Sequence, residues 1–218
     1  MYVTPPMQNH PRPAAGPPWW LVIGPGLAAL IGLFLLTVIY RFDGRSVLQV
    51  DLHLSNQALL LSGLVAYLVA AAIALPAGLL LGARFPTSVT VPAICFMLLG
   101  VLLIAFTPNG GLLLVGRVLN GLGAGAAIGV TAALIRWLRT GRGVAAALTA
   151  GLGVVALAIA PLLGGLVSDT FSFRLVYLIA ALFVFVALIV AAVIGIVALT
   201  AAKRPTQPMP YAMPYPPR

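Results

Sequence analysis

The chain has 218 residues, of which 62% are hydrophobic and 7% are charged, whereas a soluble globular domain is typically about 45–50% apolar and about 25% charged. This composition excludes a soluble enzyme, a disordered chain and a disulfide-rich secreted protein, and the single cysteine, Cys95, cannot form a disulfide within the chain. Twelve Lys and Arg residues against three acids give a net charge of +9, whose meaning depends on where the charges lie.

Six apolar stretches are long enough to cross a bilayer, which takes about 20 residues in a helix. In chain order they cover residues 19–40, 56–81, 88–106, 111–135, 143–167 and 173–200. The first is longer than the apolar core of a signal peptide and follows a proline-rich segment, so we expect an uncleaved helix. The sequence therefore predicts an all-α membrane protein with a six-helix bundle at 19–200, a proline-rich disordered tail at 1–18 and a proline- and tyrosine-rich disordered tail at 201–218.

The charges sort by side of the membrane. If the N-terminus is cytoplasmic, eight cations fall inside, and three fall outside together with all three acids, as the positive-inside rule requires. The inner cations are Arg12, Arg84, Arg136, Arg139, Arg142, Lys203, Arg204 and Arg218, and the outer residues are Arg41, Arg45, Arg174, Asp43, Asp51 and Asp169. This pattern predicts cytoplasmic termini, and the bias toward Ala, Gly, Val, Leu and Arg suggests a GC-rich bacterial genome and hence a bacterial plasma membrane. Because the charge sets topology, nucleic-acid binding is not expected.

Arg117 is the one cation that this sorting leaves inside a span, about 9 Å from its outer end by helical rise. A charge at mid-bilayer costs at least ~2.5–3.5 kcal/mol and less near an interface, so Arg117 is a candidate functional residue. The alternative is that its side chain snorkels to the outer head groups. Asn120, one turn further on, is expected to help satisfy the guanidinium.

Small residues recur at helical spacing in the fourth and fifth spans. Because helices in lipid associate by close packing of small residues, we expect these two helices to pack closely on each other, with a kink at the proline. The residues concerned are Gly121, Gly125 and Gly129 in the fourth span, and Pro161, Gly164 and Gly165 in the fifth.

Chemistry-bearing residues are scarce. No acid or histidine lies within the six spans, which argues against a proton-coupled carrier. Two histidines and one cysteine, widely separated, give no metal-ligand cluster, and no Ser/His/Asp arrangement is visible, so we predict no catalytic, metal or cofactor site and no enzyme. Ser55 is placed to cap the second helix. The tails are either solvated ends or segments that dock a partner.

From about residue 50 to residue 190, the sequence resembles the N-terminal six-helix half of the major facilitator superfamily of secondary transporters. Residues 51–78 are similar to the second helix, and residues 82–85, GARF, fall at the loop motif between helices two and three. GRVLNGLGAGAA at 116–127 resembles the fourth-helix motif, with Arg117 at the motif arginine. APLLGG at 160–165 resembles the fifth-helix antiporter motif, and SFRLVYLI at 172–179 resembles the entry into helix six.

The loop motif Gly82-Ala83-Arg84 departs from the family pattern. The family has an acid before the arginine and several basic residues after it, whereas this chain has Ala83 before it and Pro86, Thr87 and Ser88 after Phe85. The resemblance therefore does not carry over the charge lock that the family uses in gating. In the family the substrate lies between two six-helix halves, and these residues supply one.

Two hypotheses follow. The favoured one is a non-catalytic accessory or stabilising subunit of a larger bacterial membrane transport complex, and the alternative is a half-size transporter working as a homo- or heterodimer. Expected partners are membrane lipids and either other membrane subunits or a second copy. The apolar spans favour a hydrophobic or lipidic substrate, if one passes.

Overall fold

The computed structural model of the protein describes residues 19–40, 48, 52–138 and 140–202, without the side chains of residues 169, 201 and 202. Expectations for the two tails, and for most of the loop after the first span, lie outside these residues. Each of the six predicted spans is a helix long and apolar enough to cross a membrane. The predicted fold class is therefore confirmed, while the cytoplasmic location of the termini stays a prediction.

The first helix, α1, begins with a 3-10 turn at Trp19–Val22 and continues as an α-helix at Ile23–Thr37. The second, α2, covers Asn56–Gly82 and contains a π-helical segment at Leu60–Val65 that the sequence did not reveal. The others are α3 at Pro86–Ala105, α4 at Gly110–Trp137, α5 at Arg142–Thr170 and α6 at Phe173–Ala202.

Local sequence accounts for where these helices begin. The amide of Ala58 donates to the Ser55 hydroxyl at 3.2 Å, which confirms the predicted cap of α2. The Asn109 side chain accepts from the amide of Leu112 at 3.0 Å and starts α4 in the same way. The turn before α5 uses Gly141 at φ 72°, a left-handed conformation that glycine adopts without steric cost. Such short turns make successive helices antiparallel.

The helix α4 is the centre of the bundle. In its most apolar stretch 67% of the residues are buried, against 22% for each of α2, α5 and α6. It packs against α1, α2 and α3, while α6 packs mainly on α3, and α5 packs mainly on α1. The two ends of the bundle differ in charge. Arg84, Arg136 and Arg142 lie at the end where α1, α3 and α5 begin, which we call the basic end.

The glycine face of α4 packs on α2. A Cβ added at Gly121, Gly125 or Gly129 would collide with a backbone carbonyl oxygen of α2, so only glycine allows this approach. The three carbonyl groups belong to Tyr67, Ala71 and Leu75, which repeat at the same interval of four. Close packing along α4 is therefore present, and its partner is α2.

The small residues of α5 have a different partner. A Cβ at Gly164 would lie 2.5 Å from the carbonyl oxygen of Val38, just after α1, and Gly165 is also buried. The helices α4 and α5 make few contacts with each other, because α1 packs against both, so the expected close packing between these two helices is wrong. Pro161 does not end α5, which continues to Thr170; the kink expected there stays a prediction.

Candidate functional site

Arg117 lies at the centre of the bundle, with 0% of its side chain exposed. Its Nη1 donates a hydrogen bond to the carbonyl oxygen of Leu35 at 2.6 Å. Leu35 belongs to the last turn of α1, where the backbone carbonyl groups carry the partial negative charge of a helix C-terminus. The guanidinium therefore meets the negative end of a helix dipole, and it ties α4 to α1.

Three tyrosines surround this guanidinium, one each from α2, α6 and the residues after α1. The Tyr67 ring lies 5.7 Å from the Arg117 Cζ, within range of a cation–π contact, and the Tyr67 hydroxyl donates to the carbonyl oxygen of Gly32 at 2.6 Å. Tyr40 and Tyr177 are near enough to interact electrostatically with Arg117. Arg117 and these three tyrosines form what we call the Arg117 cluster.

Much of the hydrogen-bonding capacity of the Arg117 cluster is unused by the described residues. Nε and Nη2 of Arg117 and the hydroxyls of Tyr40 and Tyr177 are buried without a described partner, and so are both amide atoms of the neighbouring Asn120. The three acidic side chains of the protein are not among those described. Buried polar atoms in native proteins are almost always paired, so the cluster is the most polar and least satisfied part of the bundle interior.

The structure decides between the two predictions for the side chain of Arg117, and it corrects the predicted contact of Asn120 with Arg117. The guanidinium points into the bundle and is fully buried, so the snorkelling alternative is wrong. Asn120 does not hydrogen-bond Arg117. Its Oδ1 points toward α3, where a Cβ at Gly100 would lie 2.6 Å from it, because residues three apart on α4 face different neighbouring helices here.

Among the grooves that the described residues form are three of similar volume, and neither Arg117 nor Asn120 lines any of these three. The first, of about 450 Å³, lies between α1, α5 and α6 and is lined by apolar residues alone. The second, of about 460 Å³, lies between α1, α4 and α5, and its lining includes Arg136 and Arg142. The third, of about 420 Å³, lies at the end opposite the basic end, beside Thr107 and Arg174.

The degraded loop motif forms the turn between α2 and α3. Gly82 is buried against α4, where a Cβ would lie 2.8 Å from the Cα of Val130. Arg84 is exposed, and its Cζ lies 5.4 Å from the ring centroid of the adjacent Phe85. Ala83 supplies no charge, so nothing in this turn can form the acid–base lock of the family pattern. Among the described residues, no group of three His, Cys, Asp or Glu side chains comes together as a metal site.

Known protein families provide a comparison for this order of helices, with its central fourth helix and the arginine on it. A family model described as the Major Facilitator Superfamily matches residues 33–210, which is most of the chain. This chain belongs to the major facilitator superfamily. No curated protein sequence matches it. Family membership and six apolar helices make it a multi-pass membrane protein related to transport, with the size of one six-helix domain.

Sequence reasoning placed Arg117 correctly on the fourth helix and missed the tyrosines of this superfamily domain. Tyr67 and Tyr177 are both nearly fully buried, and their signal was available, because a tyrosine in an apolar span needs a partner for its hydroxyl. The convergence of the tyrosines on Arg117 could not be predicted from the sequence, because it depends on how three helices rotate about their axes. The structure therefore adds a polar cluster to what had been a single candidate residue.

Proposed function

We propose that this superfamily member is a non-catalytic subunit that stabilises a larger membrane transport complex. The observation that carries the proposal is the position of Arg117. It is the only charged side chain in the buried interior of the described chain. It is engaged with the end of α1 and the Tyr67 ring, and it lines none of the three grooves. A side chain held in this way supports the packing of the helices rather than contact with a passing substrate.

The absence of carboxylates and histidines from the sequence of the spans supports the same proposal. A proton-coupled carrier needs a carboxylate or a histidine along its pathway, and none occurs in the sequence of the six spans. Arg117 cannot replace them, because a guanidinium does not lose its proton in a protein. We therefore expect this chain not to drive ion-coupled transport by itself.

A partner subunit has several apolar surfaces available. The helices α2, α5 and α6 each bury only 22% of their most apolar stretch within the bundle. Lipid can cover such surfaces, and so can the helices of another subunit or of a second copy. Small residues on these faces, such as Gly151 with open space around it, allow close approach of another helix.

The second candidate function is a half-size transporter that works as a homo- or heterodimer. The groove between α1, α5 and α6 favours it, because a volume of about 450 Å³ with apolar walls suits a hydrophobic or lipidic molecule. This candidate needs a second six-helix unit to complete the path across the membrane.

Reconstitution separates the two candidates. The purified protein is placed in liposomes, and the uptake of a fluorescent lipid analogue is followed with and without a proton or sodium gradient. We expect no gradient-dependent uptake. Ion-coupled transport that disappears in Arg117→Ala and persists in Arg84→Ala would overturn the accessory role.

Cross-linking in native membranes tests for a partner. Cys95 is the only cysteine, so Cys95→Ser gives a cysteine-free background into which Val69→Cys, Leu152→Cys or Leu182→Cys is introduced. These exposed positions lie on α2, α5 and α6. We expect one face to give a discrete cross-linked complex and the others to give none. A chain that stays monomeric with all three variants would contradict both candidate functions.

A further inference from the structure

The groove between α1, α4 and α5, which we call the arginine groove, combines apolar walls with cations at one end. Its walls include Leu33, Ile128 and Ile135, and its volume is about 460 Å³. The two threonine hydroxyls on its lining are used within their own helices. Thr131 donates to the carbonyl oxygen of Ala127 at 2.7 Å, and Thr149 donates to that of Ala145 at 2.8 Å. The walls therefore behave as an apolar surface along most of their length.

The cations lie together where the arginine groove reaches the basic end. Arg136 is in the last turn of α4, and Arg142 is the first residue of α5, across a short turn. Both side chains are exposed, and neither hydrogen-bonds another described residue. Each guanidinium keeps its charge at any physiological pH and offers five N–H donors. The groove thus ends in two cations that no side chain in the described part of the chain engages.

Tryptophans place these cations at the level of the lipid head groups. Trp137 follows Arg136 and is 63% exposed, and Trp19, at the start of α1, is 70% exposed at the same end of the bundle. Tryptophan is enriched where the hydrocarbon of a bilayer meets its head groups. The apolar walls therefore run from head-group level toward the middle of the membrane.

We propose that the arginine groove binds one anionic glycerophospholipid of the surrounding membrane. Its phosphate contacts Arg136 and Arg142, because guanidinium groups form charge-assisted and often bidentate hydrogen bonds with phosphate. An acyl chain lies along the apolar walls between α1, α4 and α5. A zwitterionic lipid is disfavoured, because its own cation competes with the two arginines for the phosphate. The site does not depend on whether the protein transports anything.

Two exposed arginines outside the groove provide a matched control for charge. Arg84 lies beside the ring of Phe85, Arg174 lies at the opposite end of the bundle, and neither lines the arginine groove. Replacing this pair with glutamine removes the same net charge as replacing Arg136 and Arg142. If the lipid binds in the groove, the two double variants differ in lipid affinity. If net charge alone attracts the lipid, their affinities are equal.

Lipid binding to the delipidated full chain in neutral detergent measures the head-group contact. Native mass spectrometry follows titrations with phosphatidylglycerol and with phosphatidylcholine of the same acyl chains. We expect preferential binding of phosphatidylglycerol and a loss of roughly tenfold to thirtyfold in its affinity in Arg136→Gln/Arg142→Gln. Arg84→Gln/Arg174→Gln retains the affinity. Equal binding of both lipids, or an equal loss in the two double variants, would overturn the proposal.

A second pair of variants tests the acyl-chain contact without touching the arginines. Ala146 lines the arginine groove, whereas its neighbour Ala147 does not, and both are exposed on α5. Ala146→Phe is expected to fill the groove and weaken phosphatidylglycerol binding, and Ala147→Phe is expected to leave it unchanged. Glycerol 3-phosphate, which has no acyl chain, is expected not to displace the lipid. Displacement by it, or equal effects of the two alanine variants, would refute a lipid site.

Discussion

The hydroxyl of Thr37, the last residue of α1, donates a hydrogen bond to the carbonyl oxygen of Leu157 in α5 at 3.0 Å. Leu157 lies four residues before Pro161, which has no backbone N–H and cannot donate to that carbonyl as a helix requires. A side chain of one helix thus satisfies a backbone group that a proline has freed in another. Bonds of this kind make proline tolerable inside membrane helices.

Replacing Thr37 with valine keeps the shape of the side chain and removes this bond. We expect Thr37→Val to lower the stability of the bundle by about 0.6–2 kcal/mol, the range found for hydrogen bonds between membrane helices. The loss appears as a lower midpoint of thermal unfolding in detergent. Because α5 has few contacts with α4, we also expect faster proteolysis of the turn between these helices.

The variant Pro161→Ala provides the control for this bond. It restores an N–H that can donate to the carbonyl of Leu157 within α5, so Thr37→Val is expected to cost less in this background. Equal costs of Thr37→Val with and without the proline would mean that the hydroxyl does not replace the missing helix bond.

Hydropathy was sufficient to predict the six helices. The predicted spans overlap every observed helix and miss most ends by only a few residues, because the length of an apolar run is set by the thickness of the bilayer. Ser55 shows that a cap can also be predicted, since the bond it makes is local. The π-helical segment at Leu60–Val65 was not predicted, because its Ser62-Gly63 pair does not by itself specify a π-helical turn in an apolar helix.

The partners of each helix could not be predicted from the same patterns. The glycines of α4 indicated close packing, but a row of small residues does not specify which helix approaches it. The structure places α2 there, with the carbonyl of Ala71 against Gly125. The predicted contact of Asn120 with Arg117 was wrong for the same reason. A difference of a few tens of degrees in the rotation of α4 decides whether the Asn120 side chain faces Arg117 or α3. Information of this kind lies in tertiary packing.

A pair of glycine variants tests the packing of α4 on α2. Gly125→Ala places a methyl group against the backbone of Ala71, so the helices must separate, and we expect a loss of about 1–3 kcal/mol as for overpacked cores. Gly151→Ala on α5 meets open space and is expected to be neutral or to gain up to about 1 kcal/mol from reduced backbone entropy. Thermal unfolding in the same detergent compares them. Similar losses for both would show that α4 does not pack on α2 through Gly125.

Two buried tyrosines give a second matched pair. Tyr67→Phe removes the bond to the carbonyl of Gly32 and is expected to cost about 0.5–1.5 kcal/mol. Tyr177→Phe removes a hydroxyl that has no partner among the described residues, so it is expected to leave the midpoint of unfolding unchanged or to raise it. A large loss in Tyr177→Phe would reveal a partner for that hydroxyl.

Two substitutions of Arg117 distinguish a packing role of this side chain from a role that needs its charge. Arg117→Ala leaves a cavity beside Leu35 and Tyr67, and we expect it to cost about 2–5 kcal/mol, as other deletions of a large buried side chain do. Arg117→Met keeps most of the volume and removes the charge together with Nε and Nη2, which have no described partner. The lost bond to Leu35 and the lost cation–π contact are each worth about 1–2 kcal/mol.

That loss is opposed by the burial cost of the guanidinium, which is ~2.5–3.5 kcal/mol at mid-bilayer and smaller toward an interface. Because the two terms are of similar size, we expect Arg117→Met to unfold close to the midpoint of the natural chain and Arg117→Ala to unfold well below it. If the methionine variant is as unstable as the alanine variant, the charge itself stabilises the bundle, and Nε and Nη2 have partners beyond the described residues. If it is stable and still supports the assembly of a partner complex, the arginine acts through its volume rather than through its charge.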